Sequence, residues 1–183
     1  KEDVKLGAGT LNSVFGAGAT LSAVAPLNGY AQQWDVTLGA NPTLVPGQTY
    51  GMSGGLLTTG VRYIMVRNNP SPVDAFSFSE LIVLDASGNN IAKGKAISAS
   101  SSYNAQYDKS KVVDGDATGS ETSSWGGSTT GDQWVQVDLG GVYDLNTIVI
   151  VPRTNFGEAK SFTVFAGGTD MSSQSYAALS ANT

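Results

Sequence analysis

The residues best equipped for chemistry lie in one stretch, VVDGDATGSETSSW at 112–125, where acidic side chains alternate with hydroxyls and glycines. Asp114-Gly115-Asp116-Ala117-Thr118-Gly119 matches the first half of a helix-loop-helix calcium loop, with oxygen donors at alternate positions and glycine at the sixth. The twelfth position, which needs a bidentate Glu, is Trp125, so the EF-hand reading fails. A broader reading survives. Hard cations take roughly six to eight oxygen ligands, and Asp114, Asp116, Thr118, Thr122, Ser123 and backbone carbonyls can supply several. A plain Asp-Gly turn with solvated hydroxyls competes with it.

A carboxylate 34 residues before Asp114 bears on the choice. In AFSFSELIVLD (75–85), alternation predicts that Phe76, Phe78, Ile82 and Leu84 share one face of a strand, and Glu80 falls on that face. An isolated buried carboxylate costs on the order of several kcal/mol unless it is paired, protonated or bound to a metal. If Glu80 reaches the acidic loop, one shared Ca²⁺ accounts for both.

Other chemistries are excluded by composition. The chain has no His and no Cys, which removes Ser-His-Asp triads, thiolate nucleophiles, disulfides and the usual zinc sites. A net charge of −5, with only ten Lys and Arg and no basic run, argues against nucleic acid or an anionic membrane as partner. Its apolar runs are far shorter than the ~20 residues of a membrane span, so direct membrane insertion is not expected. A glycosidase would need two acids facing each other across a cleft; the clustered acids here suit a cation better. The GAG motifs at 7–9 and 16–18 lack the third glycine and following helix of a dinucleotide loop. No enzyme is expected. The chain starts at Lys1 without Met, as a mature or excised piece would.

Two regions must position these residues. Residues 1–60 are rich in Gly, Ala, Ser and Thr, with a loose echo between LGAGTL (6–11) and FGAGATL (15–21) and only Asp35 charged between Lys5 and Arg62. They read as a β segment of short strands and glycine turns, either an assembly arm or a second small β-domain. Residues 61–183 carry clear strand signals in VRYIMVR (61–67), AFSFSELIVLD (75–85), WVQVDL (134–139), NTIVIVP (146–152) and SFTVFAG (161–167). No helical periodicity of similar strength follows Val61, so the class is all-β, an antiparallel sandwich. TIVIV, apolar on both faces, suits a central strand.

The order of GNNIAKGKAISASSSYN (88–104), KVVDGDATGSETSSW (111–125), GDQWVQVDLGG (131–141), TIVIVPR (147–153) and SFTVFAG (161–167) resembles the discoidin or F5/8 type C family, which includes the family 32 carbohydrate-binding modules. The resemblance covers roughly 75–170. It implies a jelly-roll β-sandwich, usually non-catalytic and extracellular, often with a structural Ca²⁺. Carried over, the metal ligands are Asp114, Asp116 with its carbonyl, Ser123 or Thr122, and Glu80; the inserted GSE at 119–121 departs from the shorter family spacing and leaves the hydroxyl ligand open. Arg153 matches a position from which sugar-binding members project an Arg to sugar hydroxyls; a surface ion pair is the alternative. Asn104, Tyr107, Asn155 and Phe156 are the further ligand-binding candidates, in the absence of the His many members use. Trp125 and Trp134 read as core residues rather than sugar platforms.

VRYIMVR precedes the module here, whereas the family pattern ends with such a strand. Residues 1–67 therefore either fold back onto the same sandwich or complete one in a neighbouring chain. The resulting expectation is a calcium-stabilised carbohydrate-binding or adhesion module of a larger protein, binding glycans or other surface ligands at a cell or virion surface. The alternative is a structural subunit of a multimeric extracellular filament, appendage or virion, self-assembling with identical copies.

Overall fold

The computed structural model describes residues 4–7, 20–24, 32–37, 58–68, 76–128, 131–153 and 161–181. Among these residues nine strands form antiparallel pairs: β1 (Val4–Gly7), β2 (Thr20–Val24), β3 (Gln32–Thr37), β4 (Thr58–Asn68), β5 (Ser77–Asp85), β6 (Ala96–Ala99), β7 (Trp125–Gly126), β8 (Trp134–Pro152) and β9 (Ser161–Gly167). Their order is β2-β3-β9-β4-β8-β5-β7, with β1 and β6 also on β8. One short helix, α1 (Tyr176–Ser180), follows. The fold is the all-β, antiparallel one that the strand patterns predict, consistent with the discoidin-like jelly-roll sandwich that the resemblance implies, and the N-terminal Gly/Ala-rich segment contributes strands β1 to β3.

Strand β8 organises it. Its first part lies between β4 and β6, and its last part between β5 and β1, where Val4 faces Ile150 and Leu6 faces Ile148. Ile148, Val149, Ile150 and Val151 are all buried, as apolar character on both faces predicts. The sequence reads as two strands separated at Gly140-Gly141; the chain instead stays extended from Trp134 to Pro152. Gly140 adopts φ +75°, and β4 shifts register between Val61 and Tyr63, so the residues after Asp138 bulge outward without ending the strand, and Val142 is exposed.

Another bulge corrects the expected facing of β5. Phe78 pairs with Pro152 but Glu80 pairs with Val151, so Ser79 is an extra residue opposite one step of β8. Strict alternation is lost there. Phe76 and Phe78 consequently share the core with Leu81 and Val83, and Ile82 and Leu84, expected beside them, are only partly buried and outside it. Around this point Trp125 makes edge-on contacts with Phe76 and Phe78, each at 5.7 Å, and its Nε1 donates to the Ser101 carbonyl at 3.0 Å. Such aromatic pairs add to the free energy of their buried area.

A second cluster joins Met65, Phe165, Met171 and Leu179, with Trp134 and Tyr176 packed against it. Buried Arg67 ties this region to the C-terminal segment through Asp132 and the Gln174 carbonyl. Trp125 is thus a core residue as expected, whereas Trp134 is half-buried in this second cluster.

Candidate functional site

A turn of 3-10 helix, Lys109–Val113, begins the acidic loop, with Asp108 accepting from the Ser110 N–H as its cap. Val112 and Val113 bury against the core and fix where the loop leaves the sandwich. Gly115 then takes φ +92°, a region other side chains avoid, and a Cβ there would meet the Lys93 side chain at 2.7 Å. This conformation aims the Gly115 N–H at Glu80, whose Oε1 accepts it at 3.2 Å. Glu80 and the acidic loop therefore meet, as the two stretches of sequence jointly predict.

The bulge in β5 sets this up. By placing Ser79 and Glu80 side by side off the normal alternation, it presents both to the loop. Ser79 Oγ lies 3.1 Å from the Asp116 carbonyl, 3.1 Å from the Ser123 carbonyl and 3.0 Å from Ser123 Oγ. Ser123 Oγ also lies within 3.1 Å of Thr118 Oγ1 and 3.0 Å of Ser120 Oγ. A hydroxyl has one proton to donate. The pocket thus holds more oxygen lone pairs than hydrogens to satisfy them.

Glu80 completes the imbalance. Its side chain is 0% exposed, and Oε2 has no hydrogen-bond partner among the described residues. Burial above all pushes its carboxyl up to about 7; the Gly115 N–H and Lys93 oppose the rise, and Asp114 and Asp116 add to it. An oxygen-rich pocket with an orphaned carboxylate oxygen matches the needs of a hard cation.

The remaining expected ligands divide. Asp114 accepts from the Asp116 N–H at 2.8 Å and Asp116 from the Thr118 N–H at 3.1 Å, so each exposed carboxylate holds the loop's own backbone. The Thr118 contacts also lower the Asp116 carboxyl. The Asp116 carbonyl and Ser123 face Ser79, while exposed Thr122 offers its carbonyl to Lys111 Nζ at 2.6 Å. No group of three or more acidic side chains converges among the described residues. A cation here would be held by one carboxylate with carbonyls and hydroxyls.

The same loop builds a second cluster at its far end. Arg153, with its side chain 8% exposed, pairs through Nη2 with Glu121 Oε1 at 3.0 Å. Its guanidinium lies 5.1 Å from the centre of the Tyr107 ring. Tyr107 Oη donates to the same Glu121 oxygen at 2.5 Å, and that bond raises the phenol's pKa. Tyr103, 59% exposed, meets Tyr107 edge-on at 5.9 Å, and Asn104 Oδ1 caps the intervening turn by accepting from the Gln106 N–H. Arg153, Tyr107 and Asn104 thus fall on neighbouring elements, and the ion pair considered for Arg153 is present. Asn155 and Phe156 lie outside the described residues.

Ser79, Glu121 and Tyr103 escaped the reading of the sequence. Ser79 looks like an ordinary alternating residue until the bulge is known. Glu121 sits in the GSE stretch that departs from the commoner family spacing, where the resemblance assigns no role.

Neither curated proteins nor solved structures gave a significant match. The family model of the F5/8 type C domain matches residues 96–177, from β6 through the acidic loop, β8 and β9 into α1. Both clusters lie largely inside that span, and over it the chain is similar to an F5/8 type C, or discoidin, domain.

Proposed function

We infer that the matched region works as F5/8 type C domains in general do, as a carbohydrate- or ligand-binding module without catalytic activity in an extracellular protein. We propose that this chain binds glycans through the cluster around Arg153 and that a structural Ca²⁺ braces the loop beneath it, in a protein working outside the cell or on a cell or virion surface. One observation carries the reading. A cation, an anion and two tyrosine rings converge at Arg153, Glu121, Tyr103 and Tyr107, with Tyr103 mostly exposed. Aromatic faces stack on apolar sugar faces, and a few fixed polar groups orient the hydroxyls.

For the metal, Glu80, the carbonyls of Asp116 and Ser123, and the hydroxyls of Ser79 and Ser123 would supply oxygen ligands. The ion would neutralise the buried carboxylate and hold β5 to the loop that carries Glu121. None of these groups is activated for bond making.

A subunit that completes a neighbour's sandwich with residues 1–60 has less support, because β1 pairs with β8 and β3 with β9 of the same chain. In a titration against a broad glycan panel with calcium present, the protein should bind some members, and Arg153→Ala should weaken that binding at least about tenfold. Binding to no member of the panel would overturn the proposal.

A further inference from the structure

The Arg153 guanidinium is covered: Tyr107 lies against it and only 8% of its side chain reaches solvent, while Glu121, its ion-pair partner, is 60% exposed. A ligand arriving at this end of the domain therefore meets a carboxylate before it meets the arginine. That carboxylate is held from two sides, by Arg153 Nη2 and by Tyr107 Oη. It is also held along the chain, because Thr122 accepts from Lys111 and Ser123 is locked against Ser79. Glu121 cannot swing aside without disturbing these contacts.

From this arrangement we propose that Glu121 is the specificity-determining residue of the site, admitting neutral saccharides and rejecting sulfated or carboxylated ones. The inference rests on the glycan-binding reading above. An ionised carboxylate accepts hydrogen bonds and donates none; with about four lone-pair sites, it has room for sugar hydroxyls beyond its bonds to Arg153 and Tyr107. An anionic ligand seeking Arg153 must displace Glu121 or sit beside it, and like charges brought together at an interface are strongly unfavourable. Discrimination then comes from a repulsive group already in place. Lys111, a second cation on the same loop, is engaged by the Thr122 carbonyl.

The test is a glycan array, with calcium, carrying each core saccharide in neutral, sulfated and sialylated forms, read for the wild type, Glu121→Gln and Tyr107→Phe. The wild type should bind its preferred core at least about tenfold better in the neutral form. Glu121→Gln keeps the shape, removes the charge, and should raise binding of the sulfated and sialylated forms until the preference is lost. Tyr107→Phe, which frees Glu121 from one of its two holds, should reduce the preference partly. Wild-type preference for the anionic forms, or an unchanged preference in Glu121→Gln, overturns the inference while leaving glycan binding intact. Silence of all three proteins on every core overturns glycan binding itself and this inference with it.

Discussion

Two carboxylates, Glu80 of β5 at one end of the acidic loop and Glu121 within it, receive opposite treatment. Glu80 is fully buried, takes one backbone N–H and leaves its other oxygen without a partner; Glu121 is mostly exposed yet pairs with an arginine and a tyrosine. Burial should accompany pairing, since an unpaired buried charge is the costlier one. The inversion is informative. The exposed pair is complete within the chain, which suits the recognition proposed for it; the buried carboxylate is incomplete, which suits the proposed cation.

The largest test of that contrast removes the counter-ion. Calcium at a hundred times its dissociation constant should stabilise the fold by about 2.7 kcal/mol over the chelator-treated protein. For a chain of this length that is roughly 5–10 °C in melting temperature. Glu80→Gln should abolish the shift and Glu121→Gln should retain it; equal melting with calcium and with chelator would leave Glu80 as a protonated core residue.

Acidity gives the next effect. With its carboxyl raised from 4.5 to about 7 in the folded chain, Glu80 keeps a proton that the unfolded chain releases between those values. The calcium-free protein should therefore lose stability as pH rises through this window, on the order of 2 kcal/mol, and lose no more from this residue above it. Denaturant titrations of wild type and Glu80→Gln isolate the contribution, because only the wild type should show the slope. Calcium, which favours the charged form, should flatten it.

The smallest effect belongs to the exposed pair. Glu121→Gln should change folding stability by less than about 1 kcal/mol, since Glu121 is itself 60% exposed and Gln keeps an oxygen that can accept from Arg153 and Tyr107. A loss near 2 kcal/mol by chemical denaturation would make Glu121 a structural prop and erase the division between the two ends.

The meeting of Glu80 with the acidic loop was legible because the two anomalies explain each other: an acid on an apolar strand and a cluster of oxygen donors. The facing of the strand around it was not, because alternation carries no sign of an extra residue, and the bulge at Ser79 reversed the expected partners of Phe78. The strands from 134 to 152 were legible as segments, but Gly140 and Gly141 read equally as a turn or as a bulge in an extended chain. Arg153 was singled out through the family resemblance, with an ion pair as the alternative. Its partner was not, since a Glu–Arg contact between a loop and a distant strand end leaves no spacing to detect. The pairing of β1 with β8 joins Val4–Gly7 to residues 147–150, beyond any local pattern.

That last pairing also sets a timetable. Val4 is made long before its partner Ile150. During synthesis β1 must wait, unpaired, until β8 has emerged and been gripped by β4, β5 and β6. Contacts this remote in sequence slow folding. Among the described strands, β1 is therefore the one for which a pause, a chaperone or an early protease matters most.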